Sequence, residues 1–361
     1  MSSGHHPEDA GQTRAAGGPV AAAPDMEQAL DRAAHRLLEG GLVALPTETV
    51  YGLGADAENV EAVARIYQAK GRPSNHPVIV HLAPGADLRY WARSIPAAAH
   101  ALVQAFWPGP LTLILPRAAN IPASVSGGQD SIGLRCPSHP VAQELLRRFA
   151  ALKGGHGGVA APSANKFGQV SPTQAVHVRR EFSELDDDAL LVLEGGPSQV
   201  GIESTIVDLS RLEEGQGPVL LRPGHITAED LASVLGVRPA QPDAGAPRVS
   251  GSLKAHYAPR TRLDVVERAR LDDMLNRASS RGERLAVAVF PPLPSADAQH
   301  PGVSWHVCSP DCNEYAYRLY ALLHELDEGG YDRIVLEQPP RTPEWQAVND
   351  RLGRAAAAFS G

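Results

Sequence analysis

At 361 residues the chain exceeds what one hydrophobic core usually supports, and with 43% hydrophobic and 20% charged residues it belongs among globular chains, not disordered ones. A formal charge of −8 argues against a broad basic face for gripping nucleic acid, and no apolar run approaches the ~20 residues of a membrane helix. Three cysteines, Cys136, Cys308 and Cys312, fit a reducing, cytoplasmic setting rather than a disulfide framework.

Residues 1–25 are Gly-, Ala- and polar-rich without periodicity, which predicts a disordered tail; the apolar stretch at 20–24 is too short for a signal-peptide core. Leu30, Ala33, Ala34, Leu37 and Leu38 then recur at helical spacing, and Gly40-Gly41 ends that helix. Residues 42–45 read as a buried strand running into Pro46. Asn59 can cap a helix with Val60, Val63, Ala64 and Tyr67 on its apolar face, ending near Lys70. Further strands are predicted at 78–82, 111–115, 131–136, 159–161, 190–193, 204–209 and 219–221, with helices at 95–106, 141–149, 173–181 and 228–235. Thr227 and Asp230 resemble a capping box for the last helix. Strands outnumber helices here and do not strictly alternate with them. The expected fold is therefore α/β, a large twisted mixed sheet with flanking helices over 26–238, not a plain Rossmann domain.

Pro239, Pro242, Gly245, Pro247, Gly251 and Pro259 break any regular element, which marks 239–260 as a linker. Beyond it, strands at 263–266, 285–290, 304–307 and 333–336 alternate with helices at 271–281, 313–326 and 344–357. That alternation predicts a smaller Rossmann-like α/β domain over 261–361, with a largely parallel sheet.

Four groups of residues carry polar chemistry. Pro46-Thr47-Glu48-Thr49-Val50-Tyr51-Gly52-Leu53-Gly54 follows a strand and suits a polar ligand approached by backbone, although an ordinary capped turn explains it as well. Lys70-Gly71-Arg72-Pro73-Ser74-Asn75-His76-Pro77 is stiff and basic, and its three cationic types can converge on one anion. The alternative, a solvated helix end that complements the helix dipole, accounts for Lys70 but not for the Pro-bounded loop. Lys70 is also one of only four lysines, with Lys153, Lys166 and Lys254, among 33 basic residues. Val159-Ala160-Ala161-Pro162-Ser163-Ala164-Asn165, a small-residue strand ending in Ser and Asn, offers a hydroxyl and an amide, although Ser163 and Asn165 alone read as turn residues. Arg135 and Arg222 sit in or just after apolar strands, where an unpaired charge costs several kcal/mol, so a protein carboxylate or an anionic ligand must meet each. His81, at a strand end, is as readily a core histidine as a ligand. Gly196 to Gly201 has the spacing of a Walker loop but lacks its Lys-Ser/Thr, and His306, Cys308 and Cys312 lack a fourth ligand, so no metal site is expected.

Together these segments resemble the L-threonylcarbamoyladenylate synthase family, in the two-domain form of the YrdC-like proteins. The matching runs are PTETVYGLG from Pro46, KGRP from Lys70, WPGPLT from Trp107, AAPSAN from Ala160, GIESTIVD from Gly201, LLRPG from Leu220 and HYAP from His256. The resemblance implies that L-threonine, carbon dioxide or bicarbonate, and ATP give threonylcarbamoyl-AMP and pyrophosphate, the first step of threonylcarbamoyladenosine formation beside the tRNA anticodon. Mg²⁺ would accompany ATP, and other proteins would transfer the product to tRNA. By the family's pattern Thr49, His81, Arg135, Ala161 and Ser204 would hold threonine and its carbamate. Lys70, Arg72, His76, Ser131, Ser163, Asn165, Ser171 and Arg222 would face ATP, with Lys70 and Arg72 catalytic. The linker would fold over the site and bring His256 and Tyr257 to the nucleotide.

Two other functions compete with this one. A non-catalytic RNA-binding module would bind bare tRNA tightly and with strong salt dependence, against which the acidic charge weighs. A different carbamoyl-adenylate chemistry, as in hydrogenase-maturation carbamoyltransferases, would come with other modules than this linker and second domain.

Overall fold

The computed structural model describes residues 24–293 and 302–360, and their strands form two sheets. The tail expected over 1–25 lies outside the described residues except for 24 and 25, which open helix α1 (Pro24–Leu38). The first sheet has nine strands in the order β7-β1-β2-β6-β3-β5-β4-β8-β9. They are β1 (Leu42–Leu45), β2 (Gly52–Asp56), β3 (Ile79–Leu82), β4 (Leu111–Pro116), β5 (Ser131–Arg135), β6 (Gly158–Ala160), β7 (Leu190–Val192), β8 (Thr205–Asp208) and β9 (Val219–Arg222). Pairing is mixed: β3 runs parallel to β5 and β4 to β8, while β2, β6 and β9 pair antiparallel with their neighbours.

Helices α2 (Val60–Lys70), α3 (Ala97–Phe106), α4 (Pro140–Leu152), α5 (Ala175–Glu181) and α6 (Ala228–Leu235) flank this sheet with α1. On one side, α1 and α4 lay Leu30, Leu37, Leu145 and Phe149 against Val43, Leu45 and Val159. The strand at Gly52–Asp56 departs from the sequence reading, which placed no strand here and allowed an ordinary capped turn over 46–54. Close packing explains the discrepancy. A Cβ on Gly54 would lie 2.9 Å from Leu45 Cδ2 and from Val159 Cγ1, and 3.0 Å from the Val43 carbonyl. Side-chain size, not β-propensity, selects residues in this strand. Gly54→Ala is accordingly expected to lower stability by about 1–3 kcal/mol, measured as a fall in the denaturant midpoint at constant slope.

The second sheet has the order β10-β13-β11-β12, with β10 (Leu263–Val266), β11 (Leu285–Val289), β12 (Val303–Val307) and β13 (Arg333–Glu337), and every pairing is parallel. Helices α7 (Arg268–Ser279), α8 (Cys312–Glu328) and α9 (Gln346–Ala357) cover it. Its core does not stop at the linker. Val50, Val170, Ile202 and Tyr257 pack into one apolar cluster with Tyr320, Leu323, Val348 and Leu352 of the second domain.

Candidate active site

The loops that leave β1, β5, β6 and β9, and the one that enters β8, converge on a single cavity. It is lined by Thr47, Thr49, His81, Arg135, Ala161, Ser163, Glu203, Ser204, Arg222, Ser250, His256 and Tyr257, among others. Strand register brings two of these together, since His81 on β3 pairs directly with Arg135 on β5. Thr47 Oγ1 lies 2.9 Å from Thr49 Oγ1 and donates to the Val50 carbonyl at 2.6 Å, which shapes the turn after β1. Arg135 donates to Thr49 Oγ1 at 2.9 Å and to Glu48 Oε1 at 2.6 Å, and the Ser138 N–H reaches the other Glu48 oxygen at 3.1 Å. A protein carboxylate therefore meets Arg135.

Glu203 and Arg222 favour each other's charged form, but among the described residues no carboxylate is hydrogen-bonded to Arg222. Its guanidinium donates to the Ser204 carbonyl at 3.0 Å, to Ser204 Oγ at 3.1 Å and to the Ser250 carbonyl at 3.0 Å. Ser204 Oγ in turn lies 2.8 Å from Thr112 Oγ1. Lys70 is the last residue of α2, which Asn59 caps at its start, and Gly71 turns the chain away at φ +60. The Lys70 side chain is not solvated as a helix-end lysine would be: it is 3% exposed and donates to the Ser163 and Asn165 carbonyls. Arg72, 7% exposed, donates to the Pro77 carbonyl at 2.8 Å, and its Nε is buried without a partner. Burial, reinforced by the neighbouring Arg72, pushes the Lys70 pKa well below its ordinary value; burial also lowers that of Arg222 and brings Arg72 down to about 10. Hydrogen-bonded only to neutral partners among the described residues, the three cations form an anion-seeking wall, with Arg222 at the cavity and Lys70 and Arg72 behind it. His81 is neutral beside them, because burial and the charge of Arg135 hold its pKa down to about 3.

The linker closes this site. Ser250, His256 and Tyr257 form part of the wall, the His256 N–H donates to the Arg354 carbonyl of α9 at 3.2 Å, and the Ala258 N–H to the Gly168 carbonyl at 2.9 Å. His256 stands edge-on to Phe167, which stands edge-on to His76, with ring centroids 6.1 and 5.4 Å apart. About 30 Å³ remains inside, room for one or two waters and far short of a nucleotide. Displacing the linker residues Ser250, His256 and Tyr257 would widen the cavity.

His256 gives that movement a pH dependence. Burial lowers its pKa to about 3; the Glu203 carboxylate opposes the shift, while Lys70, Arg72 and Arg222 add to it. A freed His256 titrates near 6.5, so the closed linker is fully stable above that pH and loses stability as pH falls towards 3. The expected loss by pH 5 is about 2 kcal/mol. Protection factors from hydrogen exchange over residues 250–260, corrected for the pH dependence of intrinsic exchange, should fall between pH 7.5 and 5, and His256→Gln should flatten that fall.

Two families match the chain. One, Sua5/YciO/YrdC, described as telomere recombination, spans residues 35–224, and the C-terminal domain of threonylcarbamoyl-AMP synthase spans 226–357. Threonylcarbamoyl-AMP synthase of Pyrococcus abyssi is 35% identical over 335 residues, 90% of this chain and 93% of the relative. The chain belongs to the threonylcarbamoyl-AMP synthase family. The Bacillus subtilis member is 36% identical over 340 residues, 90% of this chain and 92% of that relative. The solved structure of P. abyssi Sua5 complexed with L-threonine superposes with a TM-score of 0.79 at 34% identity, covering 91% of this chain and 94% of that one.

Of the positions singled out by resemblance to the synthase family, Thr49, His81, Arg135, Ala161, Ser163, Ser204, Arg222, His256 and Tyr257 line the cavity. Lys70, Arg72 and Asn165 stand behind it: Lys70 is tethered to the Ser163 and Asn165 carbonyls, and Asn165 Oδ1 is buried without a partner. His76 reaches His256 only through Phe167, and Ser131 opens β5 away from the lining. Ser171 is fully buried, its hydroxyl donated to Glu203 Oε1 at 2.6 Å rather than turned to the cavity. Sequence reasoning passed over Thr47, Glu203 and Ser250 as site residues, and Glu48 as the partner of Arg135. The first two and Glu48 lay inside runs already singled out; Ser250 lay in a linker without a distinctive signal.

Proposed function

We propose that the chain makes threonylcarbamoyl-AMP and pyrophosphate from L-threonine, carbon dioxide or bicarbonate, and ATP at this cavity, as the first step of threonylcarbamoyladenosine formation on tRNA. The observation that carries the reading is the trio Lys70, Arg72 and Arg222, buried cations with no hydrogen-bonded carboxylate among the described residues, Arg222 lining the cavity and the other two behind it. The threonine amine adds carbon dioxide and loses a proton to give a carbamate. A carbamate oxygen then attacks the α-phosphorus, and pyrophosphate leaves. Reactants this rich in negative charge need positioning and charge neutralisation more than covalent help. In this reading Thr49, Arg135 and Ser204 hold the threonine and carbamate end, and Lys70, Arg72 and Arg222 hold the phosphates.

Mg²⁺ fits as the counter-ion that ATP carries in. Among the described residues no group of three or more His, Cys, Asp or Glu could hold a metal ion. Glu203, which lines the cavity, and Glu48 beside Arg135 are both engaged by arginines. Sites of this kind leave most Mg²⁺ coordination to phosphates and water. Among the described residues no helix is long and apolar enough to cross a membrane, which agrees with work in the cytoplasm beside the proteins that transfer the product to tRNA.

Mass spectrometry of products from ATP, threonine and ¹³C-bicarbonate tests the assignment. Labelled threonylcarbamoyl-AMP is expected, with pyrophosphate released only when threonine and bicarbonate are both present. Pyrophosphate release indifferent to threonine would sink the assignment.

A further inference from the structure

Glu203 forms part of the cavity wall, yet its charge is answered from the second domain. Its Oε2 accepts from Arg351 Nε at 2.7 Å and from the Tyr320 hydroxyl at 3.0 Å. Burial alone would raise the carboxyl pKa, but Arg351 first and Arg222 second bring it down to about 2, so Glu203 is ionised at neutral pH. Arg351, on α9, has no exposed side-chain surface. Its remaining nitrogens donate to the Pro223 carbonyl at 2.9 Å, to Asp350 Oδ2 at 2.9 Å and to the Glu203 carbonyl at 3.3 Å.

The choice of those carbonyls matters. Glu203 precedes Ser204 and Pro223 follows Arg222, and Ser204 and Arg222 are the two groups hydrogen-bonded to each other in the cavity. One guanidinium therefore bridges the two backbone segments that carry the pair. The same group lies over the Tyr257 ring, 5.5 Å from its centroid, and the Tyr320 ring is 5.8 Å from that of Tyr257. The loop before Glu203 is pressed onto α8 as well. Gly201 holds φ +80, and a Cβ there would lie 2.5 Å from the Ala316 carbonyl oxygen and the Tyr317 Cα. Ile202 is buried in the second domain's core.

We propose that Arg351 and Tyr320 are positioning residues for the synthase reaction: from the second domain they fix the Ser204–Arg222 pair and the Tyr257 ring against the bound reactants. The proposal rests on the activity assigned above. It gives the second domain a part in the chemical step beyond anchoring the linker. Guanidinium geometry is essential to it, because a lysine supplies the charge but only a point donor, and cannot bridge Glu203 and Pro223 while lying flat over a ring. A shift of the order of 1 Å in Arg222 would cost turnover more than affinity, since charge develops on the phosphates in the transition state.

Two mild substitutions test it by steady-state kinetics on the full chain. Arg351→Lys keeps a cation beside Glu203, and Tyr320→Phe removes one hydroxyl. Both are expected to melt within a few degrees of the unmodified protein. The kcat for threonine-dependent pyrophosphate release should fall at least about tenfold, with KM for threonine and ATP within about threefold. A merely structural role would lower the melting temperature and leave kcat of the folded protein unchanged, and unchanged kcat in either folded variant would overturn the proposal. If Arg351→Lys does not fold, Tyr320→Phe decides alone. Failure of the activity assignment itself looks different: the unmodified chain would then show no threonine-dependent release.

Discussion

Threonine-dependent pyrophosphate release is expected to fall by about 10²–10³-fold in Lys70→Ala, and as steeply in Arg72→Ala, while both variants keep the fold. The two halves of this expectation share one cause. Lys70 and Arg72 are buried, and neither has a carboxylate partner, so the protein gains little from their charge until an anion arrives. Replacing Lys70 removes the desolvation penalty of the ammonium along with its bonds to the Ser163 and Asn165 carbonyls. These terms oppose each other, and the melting temperature should stay within a few degrees. Lys70→Arg separates charge from shape: the fork cannot take the place of a compact ammonium between those two carbonyls, so activity should remain at least about tenfold down. A wild-type rate in Lys70→Ala and Arg72→Ala together would reduce the cluster to a helix terminus.

The parts of the fold that were legible in sequence were those where local chemistry and tertiary role agree. Asn59 both reads as a cap and accepts from the Glu61 and Ala62 amides, and Thr227 with Asp230 forms the full capping box. The second domain's clean alternation of elements became a sheet of parallel strands. Legibility failed where a residue type was chosen for a distant neighbour. Gly52 and Gly54 read as a loop because the crowding that demands them comes from Leu45, Val159 and Ala161. Arg351 reads as one more surface arginine on an amphipathic helix, since nothing within α9 reveals that Glu203, 148 residues away, waits for it. The same limit affected the site: its cationic members stood out by type, but the carboxylates that decide which cations are free did not.

That last distinction separates Arg135 from Arg222, which sequence left as two equivalent arginines at apolar strand ends. Arg135 forms an ion pair with Glu48 at 2.6 Å, and both side chains are at most 5% exposed. Removing it strands a buried carboxylate, a loss of about 3–5 kcal/mol, so Arg135→Leu should melt some ~10 °C lower or fail to accumulate as folded protein. Arg222, equally buried, answers only carbonyls and the Ser204 hydroxyl. Arg222→Leu leaves no charge unpaired, so its stability should change by no more than about 1–2 kcal/mol, while turnover falls by about 10²–10³-fold. Thermal melting and threonine-dependent pyrophosphate release, measured on both variants, resolve the contrast. Equal destabilisation by the two substitutions would mean that Glu203 depends on Arg222 as Glu48 does on Arg135, and the anion-seeking wall would lose its central member. Of that wall, Arg222 is the cation that borders the cavity directly, so the charge neutralisation assigned to the phosphates depends most heavily on it.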